Sequence, residues 1–167
     1  MGAYYYASGR RIELEPDDEH VAVDQQLAKR AGLDTHAAVS GVAPRTSGGV
    51  VLAERAALDK KTLASLRKAG ALQPVYKRER AVVVALPEVR VEFDNADQRR
   101  AVLDVLAENG SPRHTIAEDT ADWIVVRPIS GKGSDALTFA NRIYERAHPA
   151  AASVRFLQFV PKPGVTR

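Results

Sequence analysis

Four histidines, His20, His36, His114 and His148, are the first side chains to weigh as acid–base groups or metal ligands. None stands in an H-x-x-x-H or H-E-x-x-H spacing, so a zinc hydrolase would lack two ligands on one helix face. His20 and His36 fall in or beside expected strands and His148 at an expected helix end, where solvated or capping roles account for them. The serines at 8, 40, 47, 111, 130 and 134 sit in turn or cap contexts, and no G-x-S-x-G elbow raises one as a nucleophile. Cysteine is absent, which removes thiolate catalysis, disulfides and cysteine-ligated zinc. Gly131-Lys132-Gly133-Ser134 invites a phosphate-loop reading, but the motif's first glycine is missing and Gly133 separates the lysine from the serine. It reads as a turn followed by a helix that Ser134 caps. The acidic pieces Asp17-Asp18-Glu19 and Glu118-Asp119 lie in loops and lack the ligand spacing of an EF-hand. The expectation is a chain with no catalytic residues, no metal and no cofactor, and not an enzyme.

The end of the chain is more distinctive. Val154-Arg155-Phe156-Leu157-Gln158-Phe159-Val160 carries apolar residues on both faces of an expected strand, followed by Pro161-Lys162-Pro163-Gly164. If one face packs on helices, Leu157 and Phe159 point outward. The segment then pairs with Ala81–Leu86 or another subunit, or enters a partner's cleft as an added strand. Phe156, Leu157, Gln158, Phe159, Val160 and Pro161 are therefore the candidate partner-binding residues.

The elements that would position this strand are clearest in residues 81–167. Glu88–Phe93 alternates charged and apolar residues, as a half-buried strand does. Asn95 with Gln98 forms a helix start, and Asn109-Gly110 a stop. Trp123–Val126 is rich in strand formers. Leu137, Ala140, Tyr144 and Ala147 form one helical stripe that Pro149 closes, and Ser153–Val160 is the last strand. The order is β-α-β-β-α-β.

Residues 1–80 repeat it more faintly. His20–Val23 is a strand, and Asp24 caps a helix over Gln25–Ala31. Ala37–Val42 and Gly49–Ala53 are strands around the loop Pro44–Gly48. Asp59 caps a helix ending at Gly70, and Leu72–Lys77 closes the half. Tyr4–Tyr6, Ser8-Gly9 and Arg11–Leu14 form a leading hairpin. A period of roughly 75 to 80 residues is too long for a solenoid. The expected fold class is α+β: two tandem ferredoxin-like (βαββαβ) antiparallel α/β sandwiches with an N-terminal β-hairpin, one over 1–80 and one over 81–167. Ala81–Leu86, apolar throughout, joins them as a strand covered on both faces.

Composition narrows the function. The 167 residues suit one domain or two small ones. No apolar run spans a membrane and no signal peptide opens the chain, so a cytoplasmic location and no membrane partner are expected. Lys+Arg 24 against Asp+Glu 21 leaves a net charge of only +3, and no stripe of basic residues forms. An RNA-binding role, which needs aromatics on central strands, finds only Trp123 there.

The order of short motifs is similar to that of the N-terminal prodomains of bacterial subtilisin-like serine proteases, the fervidolysin-type group. Tyr5–Leu14, Pro16 and His20–Val23 resemble the opening of such prodomains. Leu72-Gln73-Pro74-Val75-Tyr76 resembles their P-V-Y strand, and Ala81–Leu86 with Glu88–Phe93 the paired strands that follow. Asp135-Ala136-Leu137, Ala140-Asn141 and Tyr144-Glu145, then Val154–Val160, resemble their D-A-L-x-x-A-N helix and closing strand. The resemblance implies a ferredoxin-like propeptide domain whose sheet packs on two protease helices and whose C-terminal tail fills the substrate cleft. Phe159 stands where the family usually has proline, and Leu157 where it has a small residue. No D-T/S-G, H-G-T-H or G-T-S-M-A segment is present. The expected function is thus a prodomain-like inhibitor or folding chaperone acting in trans on a subtilisin-type protease. The alternative is an adaptor in a protease-linked regulatory or defence system, itself a protease substrate with a soft spot at Pro44–Gly49.

Overall fold

The computed structural model describes residues 2–33 and 45–160. They form a mixed α+β structure with antiparallel sheets. Two compact units emerge: one joins the residues up to Leu14 to Ala85–Phe156, the other Glu15–Val84 to Leu157 onward.

In the first unit, Tyr4–Ala7 (β1) and Arg10–Glu13 (β2) form a hairpin. Its turn residues Ser8 and Gly9 both have positive φ, 50° and 75°, which the twist of a two-residue hairpin demands. The hairpin, expected to belong with residues 1–80, packs here instead. The strand Ala81–Glu92 (β9) enters this unit at Ala85. Ala96–Ala107 (α3), His114–Asp119 (β10), Trp123–Pro128 (β11), Gly133–Ala147 (α4) and Ala151–Phe159 (β12) follow. The strands run β10-β11-β9, and β12 pairs with β9. Val89, Val91, Ile124 and Val126 are buried on one sheet face, and Phe139 and Ile143 of α4 are buried with them.

Capping explains α3. Asn95 accepts from the Gln98 N–H at 2.9 Å, and the Gln98 side chain accepts from the Asp94 N–H at 2.7 Å. For α4 the expectation fails: the cap is Lys132, not Ser134, and its side chain makes no capping bond. Gly133 is already helical and buried, and a Cβ there would overlap the backbone carbonyl of Ala85. The glycine is needed for close helix–strand approach, which accounts for the motif without phosphate.

In the second unit, His20–Asp24 (β4), Arg45–Ser47 (β5), Val50–Glu54 (β6) and Leu72–Gln73 (β7) form a sheet in the order β5-β6-β4-β7. Gln25–Arg30 (α1) follows β4, and a 3-10 turn at Arg55–Ala57 and Lys60–Lys68 (α2) follow β6. Asp24 and Asp59 cap α1 and α2 as expected. Val21, Val23, Val51, Ala53, Leu58 and Leu66 make its core. The strand expected at Ala37–Val42, and Pro44 of the expected loop, lie outside the described residues. Arg45–Ser47 is a paired strand rather than loop, turned by Gly48 and Gly49 at φ 56° and 78°.

Two prolines redraw the expected strands. Pro74, which has no N–H to give, ends β7, and Val75–Arg78 (β8) pairs with Ala81–Val84 of β9 and with Glu15–Pro16 (β3). Pro87 does not break β9: the gap it leaves falls between the residues paired with β8 and those paired with β11. Among the described residues no helix is long and apolar enough to cross a membrane.

Gly133→Ala is expected to lower stability by at least ~1–3 kcal/mol, the usual cost of forced overpacking, whereas Ser134→Ala stays within about 0.5 kcal/mol. Urea unfolding of the two variants checks the pair; equal effects would contradict this packing.

Candidate partner-binding site

The residues expected to bind a partner divide sharply. Phe156 is half-buried, its ring edge-on to Tyr5 of the hairpin with centroids 5.2 Å apart. Leu157 is half-buried and lies 3.1 Å from where a Cβ on Gly48 would sit. Gln158 is exposed and Val160 is 53% exposed, but Phe159 is only 4% exposed. The outward display of Leu157 and Phe159 is therefore corrected: burial makes Phe159 an anchor of the strand rather than a side chain free to fill a partner's pocket. Pro161 lies outside the described residues.

Tyr5 reaches Phe156 because the hairpin is strapped to α4. The Asn141 side-chain amide donates to the Tyr4 carbonyl at 2.8 Å. The Tyr4 and Tyr6 hydroxyls donate to one oxygen of Glu145 at 2.6 and 2.9 Å, and Tyr6 stacks on Tyr144 at 4.4 Å. The Arg11 guanidinium sits 3.7 Å above the Tyr4 ring. The hydrogen bond to Glu145, aided by desolvation and the carboxylate's charge, raises both phenol pKa values above the ordinary 10.0.

The sheet face turned away from Val89, Val91 and Val126 is a second element of the site, one that the sequence reading did not single out. Around the buried Val125, which pairs with Arg90, it carries charged and aromatic side chains. Glu88 meets Arg127 at 3.7 Å and Arg155 at 3.3 Å. Arg90 contacts Glu92 at 3.3 Å and lies 4.7 Å above the Trp123 ring, whose Nε1 donates to Glu118 at 2.9 Å. Three arginines and three glutamates leave the face nearly neutral. Exposed pairs of this kind contribute little to stability, so a partner's charges can replace them. The alternation Glu88-Arg90-Glu92 pointed to this face; the cross-strand partners depend on register, which the sequence alone does not show.

The histidines do not converge. His20 Nδ1 lies 3.1 Å from Asp17, His114 Nδ1 lies 3.0 Å from the Pro112 carbonyl, and His148 ends α4 at φ 48°. His36 lies outside the described residues. Among those residues no group of three or more His, Asp or Glu could hold a metal. No family model matches this chain, and no curated protein and no solved structure matches it either.

The phenol clasp has an alkaline signature. A raised folded pKa means the clasp stabilises fully below the tyrosines' ordinary range and that this contribution is lost as pH rises through the folded values. A late-titrating phenolate fraction is expected from Tyr4 and Tyr6, and from Tyr76, which burial raises. Glu145→Ala, which removes both the acceptor and its charge, is expected to move two of these three back toward the ordinary range in a spectrophotometric titration; an unchanged curve would contradict the clasp.

Proposed function

We propose that this protein is a non-catalytic, prodomain-like ligand of a subtilisin-type serine protease, acting in trans as an inhibitor or folding aid, without a cofactor and in a cytoplasmic setting. The observation that carries this reading is β12. Among the described strands it pairs with β9 alone, and it leads directly into the C-terminal segment. Over residues 151–158 such an edge offers main-chain donors and acceptors to an added strand.

Strand order supports the tandem ferredoxin-like part of the reading. Among the described elements of each unit, taken in the order β-α-β-β-α-β, the first and third strands pair with each other, the second flanks the third, and the fourth pairs with the first. The resemblance assigns the open sheet face to helices of the protease, and the face bearing Trp123, Arg90, Arg127 and Arg155 suits such docking. With Phe159 buried, the cleft would be met by Gln158, Val160 and the residues from Pro161 onward. The same burial gives weight to the adaptor reading, in which the sheet face alone holds the partner.

Steady-state inhibition of a subtilisin-type protease separates the two. The full chain is expected to inhibit competitively. A chain ending at Val160 is expected to weaken by roughly tenfold or more, and the Trp123→Ala/Arg90→Glu variant by a similar factor, as for loss of interface hot spots. Binding that ignores the truncation but fails in the face variant would replace the inhibitor with the adaptor. No binding by the full chain would end both.

A further inference from the structure

A cavity of about 200 Å³ in the second unit is lined by Asp17, His20, Arg55, Arg67 and Gln73. Its chemistry is unlike that of the sheet face. Arg55 and Arg67 both line the cavity and make no ion pair or side-chain hydrogen bond among the described residues. Two positive guanidinium groups on one cavity without a counter-charge favour an oxyanion that accepts from both.

The one carboxylate of the cavity is already engaged. Asp17 is 6% exposed, and its Oδ1 accepts from the Glu19 N–H at 2.8 Å and the His20 N–H at 2.9 Å and lies 3.1 Å from His20 Nδ1. Burial by itself would raise its pKa, yet these hydrogen bonds hold it below the ordinary aspartate value. Asp17 thus orients the His20 ring at the cavity wall instead of pairing with either arginine. The Gln73 side chain is buried and donates to Asp24 at 3.1 Å, which fixes a second polar wall. A neighbouring cleft shares His20 and Arg55 but carries Asp18, Glu19 and Glu54, so an anion belongs on the Arg67 side.

We infer that this cavity is a binding site for a small phosphate-bearing molecule, with the Arg55 and Arg67 guanidinium groups as its charged donors and His20 as a polar wall oriented by Asp17. Planar guanidinium forks suit the paired oxygens of a phosphate. The site is independent of the protease reading and uses none of the residues assigned to it.

The test is titration of the full chain with inorganic phosphate at constant ionic strength, set by chloride and followed by amide NMR shifts and phosphorus line width. Saturable shifts are expected around residues 17–20, 55 and 73. Arg55→Ala and Arg67→Ala are each expected to weaken binding roughly tenfold or more, the loss of a charge-assisted hydrogen bond. Arg55→Lys is expected to restore part of it, and Arg80→Ala to leave it unchanged, with all four variants matching the wild type in thermal unfolding without phosphate. Non-saturating shifts, equal affinity in the Arg55 and Arg67 variants, or equal shifts with acetate would overturn the assignment.

Discussion

The architecture of the first unit depends on a missing side chain. Because Gly133 has no Cβ, the start of α4 can rest against the backbone of Ala85 in β9. That seating brings Phe139 and Ile143 into the core and presents Asn141, Tyr144 and Glu145 to the hairpin. The hairpin in turn sets Tyr5 against Phe156 of β12. One close approach therefore propagates from helix to hairpin to the strand that carries the candidate site. Any larger residue at 133 must push the helix away from β9, because the opposing atom is backbone and cannot change rotamer.

Much of this was legible because local rules and tertiary packing agree. Asn95 with Gln98 announced α3, Asp24 and Asp59 announced α1 and α2, and the alternation in Glu88–Phe93 announced the sheet's two faces. Where the reading failed, the deciding force was not local. Ser134 has the right chemistry for a cap, but the packing of Gly133 starts the helix earlier. Pro87 looks like a break, yet its missing N–H falls where neither β8 nor β11 pairs with β9. The apolar residues of β12 show that both its faces are covered without showing by what, so the burial of Phe159 was not foreseeable from alternation.

The candidate site follows the same division. Its strand could be found from composition and position along the chain, whereas its charged face required register. Arg90, Trp123 and Glu118 come from three strands, as do Glu88, Arg127 and Arg155, and only antiparallel pairing brings them together. A face of exposed, mutually exchangeable ion pairs beside an edge strand suits recognition by surface and main chain.

Amide hydrogen exchange of the full chain, alone and with an inactivated subtilisin-type protease, tests the central claim most directly. New protection is expected along β12 and on the strands that carry Arg90 and Trp123, with α1 and α2 unchanged. Protection confined to the helices, or an exchange pattern indifferent to the protease, would contradict it.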